Sequence, residues 1–513
     1  MKVACVQQPA CDIEAYEATY DWVLKTAREV CAMGAELIVF PECAYPAYFI
    51  NKEERFMQLA LEKSPRLLEE LSKIALTNKV MIAIGIALCE DGKVYNAGVL
   101  LDVDGKQVGR VNKSNFWHFD TEIFTQGREY AVFNTSIGLV GMIICADARM
   151  PEIPRLLSVK GAKLIIDMAN LTTNGRVRGS VSNPQADYLL RVRAYENDVH
   201  LIMADKVGLE ANSVVYAGKS CVCAPDGSLI AMASCDKPEI VLVDITLSVP
   251  EGQNNLSLRD PAQYAILTAP TDTLPVMDTM NRPISPDHSA VLLGVVHECW
   301  PEYSAACLAA VKDWVDTLKK QHISLGIFPV IPCDIERAAI IEHICPLLCD
   351  MTVLLAGTRG GEIVAYLCTK QGVVGEYRAK HGAEDASYYK LPFGTLGVMT
   401  ASEALSPEYA RCMMLQGVDV IAWLDEGRTA MTDAVLRARA SENKMFVVRA
   451  SAGDADNSAI AVCDGRIISE SFWGERQAVC AMASMSAARD KTVISGTHLV
   501  YGRQPEQYKE LTK

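Results

Sequence analysis

The stretch ELIVFPE, residues 36–42, decides how the first half of this chain folds. Its apolar run is too short for a helix, is β-branched at Ile38 and Val39, and stops at Pro41. It therefore reads as a buried strand that delivers Glu42 at its end. Upstream, KVACVQQ (residues 2–8) is a second short apolar strand. Between the two, Tyr16, Tyr20, Val23, Ala27 and Val30 share one helical stripe, which Gly34 ends. Downstream, strand signals at 81–88, 97–103 and 138–144 precede a helix near 153–159 and a strand at 163–168. This alternation predicts a layered α/β fold with buried sheets.

The same order returns in the second half. AVLLGVV (290–296) is a strand, a helix follows through Trp314, Val315 and Leu318, and Gly326-Ile327-Phe328-Pro329 repeats the approach to Phe40-Pro41. Asp21-Trp22-Val23 recurs as Asp313-Trp314-Val315, and Gly138-x-x-Gly141 as Gly394-x-x-Gly397. Arg193-Ala194-Tyr195-Glu196-Asn197 recurs as Arg439-Ala440-Ser441-Glu442-Asn443. Near the two ends, Arg259-Asp260-Pro261-Ala262-Gln263-Tyr264 recurs as Arg503-Gln504-Pro505-Glu506-Gln507-Tyr508. Matches kept in one order indicate a tandem duplication, with domains at 1–265 and 289–513 and a polar, proline-rich linker at 266–288.

The two copies differ at polar positions. Pro41-Glu42 becomes Pro329-Val330. Four residues beyond Gly141 stands Cys145, but four beyond Gly397 stands Ala401. Four beyond Gly109 stands Lys113, whereas four beyond Gly375 stands Ala379, with Lys380 displaced by one. The second copy is also trimmed: Gly85 lies 45 residues after Phe40, and Gly357 only 29 after Phe328. The second domain is expected to keep the scaffold and to be catalytically silent.

Bulk properties bound the function. At 513 residues, 50% hydrophobic and 22% charged, the chain can build two ordinary cores without metals or disulfides. A net charge of −14, with no lysine or arginine run, argues against nucleic acid or an anionic membrane as partner. The chain opens on a strand rather than a signal sequence, and no apolar segment approaches the roughly 20 residues of a membrane span. The 18 cysteines are scattered through apolar runs without paired C-x-x-C spacing, as expected of reduced core thiols in a cytoplasmic protein lacking a structural metal.

Glu42, Lys113 and Cys145 carry a complete chemistry if strand ends bring them together. Cys145 follows the apolar strand 138–144 and precedes a short loop into a helix, a turn whose backbone N–H groups favour a thiolate. Glu42 can take the thiol proton and return it to a leaving amine. Lys113 and the backbone N–H of Ala146 can stabilise a tetrahedral oxyanion. Neither a metal nor a cofactor is needed. Of the neighbours, Asp147 and Arg149 read as a pair bracing the nucleophile loop, Arg193 and Glu196 as a helical i, i+3 pair, and His118 as an exposed histidine.

With LIVFPE (37–42), GRVNK (109–113) and ICADARMPE (144–152), supported by Tyr95-Asn96, Phe124-x-x-Gly127, RAYEN and RDPAQY, the first half resembles the nitrilase superfamily of carbon–nitrogen hydrolases. The likeness covers residues 1 to about 265 in motifs and 290–513 in scaffold only. It implies an α-β-β-α sandwich for each half, a Glu-Lys-Cys catalytic set, and an intramolecular pseudo-dimer, with room for further homo-oligomerisation. Cys145-Ala146-Asp147 resembles the amidase and carbamoylase branches rather than the Cys-Trp-Glu of nitrilases. The expected substrate is therefore a small amide or an N-carbamoyl amine or amino acid. The family often adds a second glutamate seven residues before the glycine of its F-x-x-G string; that position here is Asp120, with Glu122 two residues on, and either carboxylate is a candidate. In carbamoylases the loop after the 163–168 strand resembles a carboxylate-binding segment, which makes Asn170, Arg176 and Arg178 substrate-binding candidates. Two alternatives stay open at this level: an acyltransferase that passes the same acyl-enzyme to an amine, and a silent binding or regulatory protein.

Overall fold

Three apolar runs, β1 (Lys2–Pro9), β2 (Leu37–Val39) and β3 (Met81–Glu90), pair in parallel in the computed structural model of the chain, Val3 opposite Leu37 and Leu37 opposite Met81. The structure describes residues 1–50, 54–173, 181–286, 289–300, 304–379, 388–453, 456–472 and 474–513. All three residues of β2 are buried. A strand covered on both faces needs no polar alternation, and each such side chain contributes about 1.5–3 kcal/mol on burial. The chain forms two compact units: Met1–Ser257 with Thr492–Leu511, and Leu258–Lys491 with Thr512–Lys513.

In unit 1, α1 (Tyr16–Ala32) links β1 to β2 and turns Val23, Ala27 and Val30 onto the sheet. Helices α2 (Glu54–Glu62) and α3 (Ser64–Asn78) lead into β3, which turns into β4 (Lys93–Leu101) and β5 (Gln107–Asn112). A one-turn helix, α4 (Asp120–Ile123), precedes β6 (Val132–Thr135) and β7 (Gly138–Ile144). Then follow α5 (Glu152–Val159), β8 (Leu164–Met168), α6 (Leu190–Asn197) and β9 (His200–Ala204). The remaining strands are β10 (Lys206–Glu210), β11 (Val214–Ala217), β12 (Cys221–Cys223), β13 (Leu229–Met232) and β14 (Glu239–Asp244).

One sheet has the order β11-β10-β1-β2-β3-β4-β5 with β14 paired to β1; the other runs β13-β12-β9-β8-β7-β6. The sheets face one another closely: a Cβ added at Gly98 of β4 would lie 2.4 Å from Met168 of β8. With α1 and α3 outside the first sheet and α5 and α6 outside the second, the unit is an α-β-β-α sandwich. The strands seen in the sequence are present with shifted ends, β3 reaching Glu90 and β4 ending at Leu101.

Unit 2 repeats this architecture with sheets of seven and six strands. Its first sheet pairs Leu293 with Leu325 and Leu325 with Thr352, as Val3 pairs with Leu37 and Leu37 with Met81. Carried along the strands, that register sets Gly85 against Ala356, one residue short of the Gly357 chosen by sequence counting. The repeated glycines mark tight packing: a Cβ at Gly141 would meet Leu157 at 2.9 Å, and one at Gly397 would meet Met413 at 2.7 Å. Arg193 Nε donates to Ala148 O (2.9 Å) and Arg439 Nε to Ala404 O (2.7 Å), and each arginine also pairs with the glutamate three residues on. None of the 18 cysteines is joined in a disulfide. Among the described residues, no helix is long and apolar enough to cross a membrane.

Candidate active site

Glu42, Lys113 and Cys145 each follow the last residues of a strand, β2, β5 and β7. Glu42 reaches the site because β3 lets its backbone pass closely: a Cβ at Gly85 would lie 2.5 Å from Glu42 Cα and from Pro41 O. In unit 2 an alanine stands at that register and Val330 replaces the glutamate, packing against the apolar core instead. Lys113 is pinned on both sides, its N–H on Asn96 O (2.8 Å) and its carbonyl accepting Gly127 N–H (2.8 Å). Gly127 is required there, since a Cβ would fall 2.0 Å from Asn112 O.

The side chains converge in a fully buried cluster. Lys113 Nζ lies 2.7 Å from Glu42 Oε1 and 2.7 Å from Asp120 Oδ2. Asn96 Nδ2 donates to the same Glu42 Oε1 (2.6 Å), while Glu42 Oε2 has no hydrogen-bond partner among the described residues. Tyr48 OH donates to Asp120 Oδ1 (3.0 Å) and Trp117 N–H to Asp120 Oδ2 (2.8 Å); the Tyr48 ring lies 5.4 Å from Lys113 Nζ. Of the two carboxylate candidates, Asp120 meets the lysine and Glu122 does not. The single turn of α4 buries residue 120 and leaves residue 122 exposed.

Cys145 occupies left-handed backbone space at φ 53°, a conformation that costs a side-chain-bearing residue free energy and has to be held from outside. Its N–H donates to Asp167 Oδ1 (2.8 Å), its carbonyl accepts Gln185 Nε2 (2.8 Å), and its Sγ lies 3.7 Å from Asn170 O. Gln185 opens a π-helical turn, Gln185–Leu189, of the kind often found at functional sites. Ala146 is buried in the short 3-10 turn Cys145–Arg149, whose leading N–H groups have no partner within the turn.

Asp147 and Arg149 do not form the pair expected from sequence. Asp147 Oδ1 accepts Ser114 Oγ (2.8 Å) and Asn115 N–H (2.7 Å), and Oδ2 accepts Ile144 N–H (3.0 Å), tying the lysine loop to the nucleophile turn. In unit 2 Glu403 keeps the last of these bonds, to Thr400 N (2.8 Å). Arg149 instead stacks 4.6 Å over Trp117 and donates to Gln185 Oε1 (2.9 Å). Among the described residues it has no carboxylate partner.

Asn170 is buried and donates one side-chain N–H to Glu42 O (2.9 Å), bracketing the glutamate. Arg176 and Arg178 lie outside the described residues. Beside the nucleophile turn a cavity of ≈ 430 Å³ is lined by Phe49, Trp117, His118, Phe119, Arg149, Thr172, Asn183 and Val214, among others, with no carboxylate among the described residues that line it. Arg149, Trp117 and Asp167 were missed as site residues because nothing local in the sequence says which way they face. Tyr48 and Asn96 do carry a signal, each lying near a motif that delivers one of the three central groups.

Burial pushes the Cys145 thiol well above its ordinary value, Glu42 adds to the rise, and Lys113 works against it. Burial thus works against the thiolate that the N–H groups of the turn favour, and attack calls for a base to take the proton. Burial also raises Glu42, which Lys113 partly offsets. Burial works against the charge on Lys113, but Asp120 and then Glu42 outweigh it and hold the ammonium well above the usual lysine range. Among the described residues no group of three His, Cys, Asp or Glu side chains is arranged to hold a metal ion.

The carbon–nitrogen hydrolase family profile matches residues 2–251 and 358–490. The first half is similar to a nitrilase of Pyrococcus abyssi, 29% identical over 263 residues, which are 51% of this chain and 95% of the relative. It is also similar to an (R)-stereoselective amidase of Pseudomonas sp, 28% identical over 207 residues (40% of this chain, 72% of the relative). The N-carbamoylputrescine amidase of Arabidopsis thaliana is 25% identical over 235 residues (43% and 78%). Among solved structures, an amidase from Nesterenkonia sp. aligns with a TM-score of 0.44 at 21% identity, covering 50% of this chain and 93% of that one. With both matched stretches falling on sandwich units, the chain belongs to the carbon–nitrogen hydrolase, or nitrilase, superfamily as a tandem of two such domains.

Proposed function

We propose that unit 1 hydrolyses a small amide or an N-carbamoyl amino acid through an acyl-enzyme on Cys145, releasing ammonia. The observation that carries this reading is the buried Glu42–Lys113–Asp120 cluster beside the thiol, with Glu42 Oε2 left free to accept a proton. Glu42 takes the Cys145 proton as sulfur attacks the carbonyl carbon. Lys113 and the Ala146 N–H receive the oxyanion. Collapse expels the amine, protonated by Glu42, and leaves a thioester. Water, deprotonated by Glu42, then displaces sulfur and restores the thiol. With a ureido substrate the intermediate is a carbamoyl thioester, and the carbamate released falls to carbon dioxide and ammonia. Asp120, bonded to Lys113, Tyr48 and the Trp117 N–H, holds the ammonium in place.

The test is ammonia release from N-carbamoyl amines, N-carbamoyl amino acids, ω-amides and nitriles, with Cys145→Ala alongside. Cysteine-dependent release from an amide or N-carbamoyl class supports the reading, and release from nitriles alone counts against it. No release from any, with no acyl adduct on Cys145 by intact mass, rejects it.

Arg149 favours an anionic group on the substrate, since it lines a cavity in which it is the one charged side chain other than His118 among the described residues. Arg149→Ala is expected to raise KM for an acidic substrate about 10- to 100-fold, with kcat little changed and a neutral amide unaffected. Equal losses on both substrates count against that role.

Asp167 provides a further check on the nucleophile turn. Burial raises its pKa well above the usual carboxylate range, and its task is to accept the Cys145 N–H. Asp167→Asn keeps an acceptor and is expected to stay within about 10-fold of wild-type kcat. Asp167→Ala orphans a buried N–H beside a strained residue, costing about 1–3 kcal/mol, and is expected to lose about 10- to 100-fold in kcat. Steady-state kinetics of the two variants decide it.

A further inference from the structure

The recurring 259–264 and 503–508 segments play no part in the chemistry above, yet each lies in the unit built mainly from the other copy. In unit 2, Arg259 Nε pairs with Glu408 (2.9 Å) and Tyr264 packs edge-on against Tyr409. In unit 1, Tyr508 stacks on Tyr130 and Gln504 Nε2 donates to Gly127 O (2.9 Å). The last part of the sequence thus lies against the loop that runs from Lys113 to Gly127.

Its contacts reach close to the catalytic lysine. The buried Thr497 Oγ1 donates to Phe116 O (2.9 Å) and accepts the His118 N–H (3.1 Å). One hydroxyl therefore clamps the two residues that flank Trp117. Trp117 in turn gives its N–H to Asp120 Oδ2, the atom 2.7 Å from Lys113 Nζ. At Gly496 (φ 83°) a Cβ would lie 2.4 Å from His118 O, so the segment fits this loop without space to spare. Ile494, half-buried, lines the same cavity as Arg149 and Trp117.

We propose that residues 492–511 are part of the active site of unit 1, with Thr497 a positioning residue for the Lys113–Asp120 pair and Ile494 a wall that sets the size of the group admitted beside Arg149. The kinetic expectation rests on the hydrolase reading above; the thiol chemistry does not. This also gives the second copy a reason to persist, because the chain reaches unit 1 again only after it has passed through unit 2.

The test is the pH dependence of Cys145 alkylation by iodoacetamide, followed on the full chain by peptide mass spectrometry of the Cys145 peptide so that the other thiols do not count, which needs no turnover. The charged groups acting on the thiol include Glu42, Lys113, Asp167 and Arg149; the two cations pull its pKa down, and of these Lys113 is the one held by Asp120 and hence by the Thr497 clamp. Thr497→Val, by letting Lys113 drift, is expected to raise the alkylation midpoint by about 0.5–1 pH unit. Thr497→Ser should restore the midpoint, with the melting temperature little moved in either variant. On a responsive substrate, Thr497→Val should lower kcat about 10-fold at unchanged KM. Ile494→Trp should slow N-phenylmaleimide at Cys145 at least about 10-fold while sparing iodoacetamide, and Ile494→Ala should not. A folded Thr497→Val with a wild-type midpoint overturns the positioning role, and an Ile494→Trp that admits the bulky reagent at the wild-type rate overturns the wall. If Thr497→Val does not fold, the Ile494 variants still decide. Alkylation effects without hydrolysis of any substrate would reject the hydrolase reading alone; hydrolysis with unmoved alkylation would reject this proposal alone.

Discussion

A Glu42→Gln enzyme is expected to fold and to lose about 10²- to 10⁴-fold in kcat, the share that a positioned general base contributes. The amide can still accept from Lys113 and Asn96, so the cluster survives, but the residue can no longer take a proton. Because burial and Glu42 both work against the thiolate, little of it is available to mask the loss. The pH profile follows with its sign. Glu42 has a raised pKa in the fold, so wild-type kcat/KM should fall with acidity along a limb above the usual carboxylate range, and Gln should abolish that limb. The same shift means that protonated Glu42 favours the folded state. Its contribution is fully present below the unfolded carboxylate pKa and is lost as pH rises through the folded one. Melting scans across that window should show a steeper slope in wild type than in the variant, where other buried carboxylates such as Asp167 still contribute. A Glu42→Gln enzyme with wild-type kcat would remove Glu42 from the mechanism.

Lys113→Met is expected to damage stability as well as rate. The ammonium is the cation between two buried carboxylates, Glu42 and Asp120. Breaking a buried pair from one side costs about 3–5 kcal/mol, because the charges left behind are uncompensated. Loss of an oxyanion donor adds about 10²- to 10³-fold in kcat. The stability defect should ease as pH falls, since protonating Glu42, whose pKa burial already raises, relieves the opposition. Adding Asp120→Asn should recover most of the melting temperature and none of the activity. If Lys113→Met melts with wild type at neutral pH, the three groups do not share the charge state described above.

The difference between the two halves has the same physical origin. Unit 2 presents Val330 and Ala379, packed on its apolar core, and Ala401 at the positions of Glu42, Lys113 and Cys145. Ala379 N–H still bonds across the sheet to Ile363 O, as Lys113 N–H bonds to Asn96 O. The backbone pattern persists because buried N–H and C=O groups must remain paired whatever the side chains do. A buried lysine has no such backbone need, and costs free energy once its carboxylates are gone.

By itself the sequence determined the strand and helix order, the duplication, and the meeting of Glu42, Lys113 and Cys145. These depend on short-range signals: apolar periodicity, a proline ending a strand, and glycines where backbones touch, as at Gly85 and Gly127. Other features depended on which surfaces meet across long stretches of chain. The choice of Asp120 over Glu122 follows from the facing of one turn of α4. Arg149 lines a cavity because Asp147 is already spent on Ser114, Asn115 and Ile144. The register that pairs Gly85 with Ala356 was set by strand pairing, which counting along the chain missed by one. The seating of Thr497 on the loop beside Trp117 joins residues that almost the whole chain separates. Local propensity carries no record of such contacts, because they are selected by the free energy of packing whole layers together, and only the tertiary structure decides them.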